Sequence, residues 1–128
     1  MQSVRLMGDG YEPHVTQEEG KLIYSLPVDS GFISYEFAFE ISRHDLDILL
    51  SDDYRRAVLE ITAHTLLQRS TLKGYDHFTQ KDFDKLVTNT LHSTPDFLQT
   101  FISQISHEHH IVIEDYVKEI MGRRSALK

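Results

Sequence analysis

The feature that most constrains this chain is a run of strict alternation between residues 21 and 41. Leu22, Tyr24 and Leu26 alternate with Lys21, Ile23 and Ser25, and Ile33, Tyr35, Phe37, Phe39 and Ile41 alternate with Ser34, Glu36, Ala38 and Glu40. A period of two puts each apolar set on one face of an extended strand. The pattern predicts strands over 21–27 and 32–41, joined through the turn chemistry of Val28-Asp29-Ser30-Gly31. Both apolar sets share a face only across an even-numbered loop, centred on Asp29-Ser30 or Ser30-Gly31. An odd slip would turn one set to water. A shorter strand is expected around Val4, Arg5 and Leu6, before Gly8-Asp9-Gly10 and Pro13 interrupt the chain.

A two-stranded ribbon is marginal alone, so its apolar face, Phe37 included, must be covered by residues beyond 41. Those residues read as helix. Ser42 caps a short one with Asp45 at its third position and Leu46, Leu49 and Leu50 on one side. Ser51 can cap a longer one, with Asp52 and Asp53 in its first turn and Tyr54, Ala57, Val58, Ile61 and Thr65 at helical spacing to about Arg69. Lys73-Gly74-Tyr75 is its exit. Thr79, with Asp82 three residues on, opens a third helix striped by Phe83, Leu86, Val87 and Leu91. Ser93-Thr94-Pro95-Asp96 is a strong start signal for a fourth, buried through Phe97, Leu98, Phe101, Ile102 and Ile105. A last helix carries Val112, Ile113, Tyr116, Val117, Ile120 and Met121, with Gly122 as its stop and Arg123 and Arg124 beyond. The expected fold is α+β: a small N-terminal antiparallel sheet covered by four or five C-terminal helices, in one domain over 1–128 with a β-rich part at 1–41 and a helical part at 42–124. A chain of 128 residues can build a core for this without staples.

Charge narrows the function classes. Residues 1–60 hold 12 acids against 5 bases and residues 61–128 hold 8 of each, so the whole net charge of −7 lies in the first half. Affinity for nucleic acid comes largely from Lys and Arg displacing counterions, so nucleic acid is not expected as a direct ligand. The absence of cysteine excludes a disulfide framework, thiolate zinc sites and a cysteine nucleophile. No stretch approaches a membrane span and the opening residues are too polar and acidic for a signal peptide, so a cytoplasmic location is expected.

Catalytic signatures are missing: there is no G-x-S-x-G, no P-loop, and Gly8-Asp9-Gly10 lacks the third glycine of a dinucleotide fingerprint. The one constellation suited to metal is His107 and His110 with Glu114, which would share a face if that run were helical. It is not HExxH, since Ile111 stands where the second histidine would be, and no metal or cofactor is expected. Among the acids, Asp45, Asp47, Asp52 and Asp53 cluster within nine residues, although helix first turns account for two of them. On the polar side of the hairpin, Phe32, Ser34, Glu36, Ala38 and Glu40 are expected to face outward with Ile23 and Ser25. Acid mixed with aromatic surface suits an interface with an apolar centre and a charged rim.

Taken together, a small, acidic, cysteine-free α+β chain without catalytic signatures resembles the bacterial immunity proteins of polymorphic toxins, particularly the cytoplasmic ones of contact-dependent growth inhibition systems. The resemblance is one of type, with no motif carried over residue by residue. It implies a non-enzymatic binding function: a tight complex with a cognate toxin domain, commonly a basic nuclease. Glu36, Glu40, Asp45, Asp52 and Asp53 are the candidate contacts. The competing expectations are a small metal-dependent enzyme built round His107, His110 and Glu114, and a regulatory adaptor that docks on a cellular protein.

Overall fold

The computed structural model describes residues 4–9, 12–30, 32–72, 74 and 76–126. Four strands form one antiparallel sheet in chain order: β1 (Val4–Met7), β2 (His14–Glu18), β3 (Lys21–Ser30) and β4 (Ile33–Ile41). Five helices come next: α1 (Arg43–Ser51), α2 (Asp53–Ser70), α3 (Gln80–Leu91), α4 (Pro95–His109) and α5 (Ile113–Ala126). The α+β expectation therefore holds, with a sheet twice as wide as the alternating hairpin. β2 escaped the pattern because only Val15 of its five residues is buried, opposite Tyr24. Its turn did leave a trace: Glu19 and Gly20, at φ 52° and 81°, make the two-residue link between Glu18 and Lys21, the left-handed geometry that suits a tight hairpin.

The β3–β4 hairpin keeps the expected parity, with Leu22 opposite Ile41, Tyr24 opposite Phe39 and Leu26 opposite Phe37. The loop lies further on than predicted. Asp29 and Ser30 still pair with Ser34 and Ile33, so the link falls at 31–32, and Gly31 lies outside the described residues. The helical cover extends along β3, where Val28 opposite Tyr35 is buried, but not over the outer end of the edge strand β4. Phe39 and Ile41 are buried, Phe37 is half-buried, and Tyr35 and Ile33 are exposed.

Ser42 and Thr79 make complete capping boxes with Asp45 and Asp82, and Thr94 caps α4 with Pro95 at its first position, all as read from sequence. Three details differ. Asp52, not Ser51, caps α2, its side chain accepting from the Arg55 N–H at 3.0 Å, because α1 runs through Ser51 and leaves no gap before it. Gly122 sits inside α5, where Arg124 on the same final stretch is tied down by carboxylates and outweighs a weak stop signal. Leu50, Phe97, Val112 and Tyr116 are exposed, at the margins of the apolar stripes assigned to them. Lys73 and Tyr75 of the α2 exit lie outside the described residues.

Two apolar clusters share α2. Tyr24, Phe39 and Phe83 centre the first, which packs the sheet on α1 through Leu46 and Leu49, on α2 through Leu59, Ala63 and Leu67, and on α3 through Phe83 and Leu86. The second joins Ala57 and Val58 to Leu98, Ile102 and Ile105 of α4 and Ile113, Val117 and Ile120 of α5. The sequence stripe of Ala57 and Val58 is only one of two buried faces, which is why α2 looks weakly amphipathic despite being central.

Candidate interaction surface

The predicted acids divide between structural duty and open surface. Asp45 is mostly buried: it closes the α1 capping box, its Oδ2 accepting from the Ser42 N–H at 2.9 Å, and its Oδ1 lies 2.6 Å from His92 Nε2. Asp52 caps α2 and lies 3.5 Å from the Arg55 guanidinium, which itself donates to the Thr90 and Ser93 carbonyls at 2.8 Å each. That chain of contacts fixes the end of α3. Asp53 is exposed in the first turn of α2, where the helix dipole favours it. Asp45 and Asp52 are thus occupied by caps and ion pairs, as helix first turns require, and of the five only Glu36 and Glu40 share one surface.

That surface is the outer face of β4. Ser34, Glu36, Ala38 and Glu40 are all exposed, Glu36 lying 3.9 Å from His14 Nε2 across the sheet. Ser25 points the same way as expected but is covered, flanked in register by His14 and Ala38. On the opposite face of the same strand the hairpin end is apolar: Ile33 is 57% exposed and Tyr35 37%, with Tyr35 stacked on Phe37 at 6.1 Å between ring centroids, and Phe32 at the turn is fully exposed. Ser34 Oγ donates to Asp29 Oδ1 at 2.6 Å and Gln68 Nε2 of α2 donates to the Asp29 carbonyl at 2.9 Å, so the end is braced against the body. Sequence reading assigned Ile33, Tyr35 and Phe37 to the core. Alternation reports which face a residue occupies but not how far the covering layer extends.

A cleft of about 590 Å³ opens elsewhere, lined by Leu26 and Pro27 of β3, Glu60 and His64 of α2, and His109 and Tyr116. Two of its lining residues, Glu12 and Glu60, belong to an ion network that no local sequence pattern shows. Arg124 Nη2 donates to Glu60 at 2.5 Å and Glu12 at 3.3 Å, and Arg56 lies 3.6 Å from Glu12. Burial alone would raise the Glu12 pKa, but the Asp9 N–H and the Arg124 and Arg56 guanidiniums outweigh it and hold the carboxyl below its ordinary value. Burial would likewise lower Arg124, yet Glu60 and Glu12 raise it. His109 is lowered by burial and by Arg69, which favours the neutral ring. Thr65 donates its hydroxyl to the Ile61 carbonyl. Glu12 and Glu60 of this cleft are thus held by arginines behind its lining, and Arg123 also faces it.

The metal-suited triad does not assemble. α4 ends at His109, His110 takes the left-handed cap at φ 53°, and Glu114 belongs to α5, where it accepts from Tyr54 Oη at 2.6 Å. Among the described residues no group of three or more His, Asp or Glu side chains is placed to hold a metal ion. Dialysis against a chelator is therefore expected to leave the melting temperature unchanged. A fall of many degrees, restored by zinc, would contradict this.

Among the described residues no helix is long and apolar enough to cross a membrane. No family model, curated protein or solved structure matches the chain.

Proposed function

We propose that this protein is an immunity protein: without catalysing a reaction itself, it binds a cognate toxin domain, a basic nuclease, in the cytoplasm and covers its working surface. The observation that carries the proposal is the exposed edge strand β4, with Phe32 at the turn, Ile33 and Tyr35 open on one face, and Asp29 and Glu36 on the other face followed further along by Glu40. Aromatic side chains at the centre of an interface supply much of its binding energy, and a charged rim supplies speed and selectivity. The acid excess of residues 1–60 complements a surface built to hold RNA or DNA phosphates. With Asp45 and Asp52 engaged internally, the proposed contacts narrow to Glu36 and Glu40, with Asp53 peripheral.

The test is coexpression with the C-terminal domain of a large toxin encoded immediately upstream of this gene. Copurification and rescue of growth are expected; a gene with no such neighbour, or a toxin domain that neither binds nor is neutralised, would overturn the proposal. With the pair in hand, Glu36→Lys with Glu40→Lys should slow association and flatten its salt dependence, relative to Glu108→Lys with Glu119→Lys on α4 and α5. Equal losses in both double variants would mean that net charge alone acts. A larger loss in the second would move the interface to the helices.

A further inference from the structure

The side-chain amide of Gln80, the first residue of α3, imitates a neighbouring strand. The Glu40 N–H donates to Gln80 Oε1 at 2.8 Å, and Gln80 Nε2 donates to the Glu40 carbonyl at 2.8 Å. In an antiparallel ladder alternate residues direct both backbone groups to the same side. Glu40 directs them to the outer edge of the sheet, so Ala38, Glu36 and Ser34 direct theirs there as well. Proline at position 27, opposite Glu36, fits this phase, because a residue there offers no N–H to β4. Among the described residues the backbone groups of Ser34, Glu36 and Ala38 have no partner on that edge.

The two sheet edges are treated differently. β1 is four residues long and its pairing slips between Arg5 and Met7, both of which discourage strand addition. β4 pairs along all nine residues without a bulge, contains neither lysine nor proline, and among the described residues is closed only at Glu40 by Gln80. Its open stretch coincides with the exposed Ile33 and Tyr35 on one face and Glu36 on the other.

We propose that the edge of β4 over 34–38 receives an extended strand from a basic partner protein. The incoming backbone pairs with Ser34, Glu36 and Ala38; alternate Lys or Arg side chains lie beside Glu36 on the outer face, and the intervening apolar ones rest on Ile33, Tyr35 and Phe37. A second copy of this chain is a poor occupant, because two-fold antiparallel pairing centred on Glu36 sets that carboxylate against its own copy. The inference rests on a basic protein being the partner and adds the mode by which it is held.

The probe is a short synthetic peptide of alternating lysine and valine, compared with the same peptide N-methylated at every second backbone nitrogen so that one edge loses its donors. In ¹⁵N-labelled protein the Ser34, Glu36 and Ala38 amide resonances are expected to shift on titration with the first peptide. The N-methylated peptide should bind roughly tenfold more weakly, the scale of one or two lost hydrogen bonds. Ala38→Pro removes an edge donor but no bond to β3, and should weaken the first peptide likewise. If that variant fails to fold, the two peptides on the unaltered protein still decide. Equal affinities, or no binding of either peptide, overturn strand addition. The toxin-binding loss in Glu36→Lys with Glu40→Lys is read separately, so the acidic surface can stand where the strand does not.

Discussion

Truncating Phe83 to alanine is expected to remove roughly 3 to 5 kcal/mol of unfolding free energy, the usual cost of emptying a large aromatic site in a core. Phe83 is fully buried, stacks on Phe39 with ring centroids 4.4 Å apart and planes 7° from parallel, and tilts against Tyr24 at 5.5 Å. Three rings from three elements meet there, so no single neighbour can collapse into the space. A domain at the low end of the typical reserve of about 5 to 15 kcal/mol would retain little of it. Phe37→Ala should cost much less, because Phe37 is half-buried and stacks on an exposed Tyr35. Urea unfolding of both variants measures the contrast, and similar losses would mean that the hairpin end is as well covered as its base.

Arg124→Met should be comparably costly by a different route. Glu12 and Glu60 share that guanidinium, and removing it leaves two partly buried carboxylates with Arg56, 3.6 Å from Glu12, as the remaining cation of the network. Stripping one partner from a buried pair costs roughly 3 to 5 kcal/mol, and the lower end applies because these carboxylates keep some exposure. Acid should expose the same linkage. Because the folded protein holds Glu12 below its ordinary value of 4.5, this contribution is fully present above that value and is lost as pH falls through the lower, folded one. Arg124→Met removes part of that dependence, so parent and variant should differ most near neutrality and converge in acid. A gap that stayed constant with pH would assign the loss to packing of the arginine stem instead.

Local chemistry was easy to read along this chain and distant chemistry was not. Ser42, Thr79 and Thr94 declare helix starts because each cap is completed within four residues. The parity of the β3–β4 hairpin came from side chains alternating on one ribbon. Arg124, by contrast, meets Glu12 across 112 positions of chain, and no local pattern forecasts that meeting. The same holds for Gln80, which looks like an ordinary first-turn residue until Glu40 is beside it. Of the acids, Glu36 and Glu40 were placed correctly on the outer face by alternation alone, whereas Asp45 and Asp52 were drawn into caps and ion pairs. The exposed hairpin end was hidden for a related reason: a period of two cannot say where the helices stop.

The sharing of α2 between two apolar clusters bears on how this molecule comes apart. A helix clasped on both sides cannot release one cluster and keep native packing against the other, so the two should melt as one all-or-none unit. Tyr24 in the sheet cluster and Tyr54 beside α4 and α5 offer natural reporters at the two ends, and their unfolding curves should superimpose. Partial opening is then a poor route to function. Whatever the hairpin captures, it would be presented by a rigid mount, with the ordering of its braced strands already complete before a partner arrives.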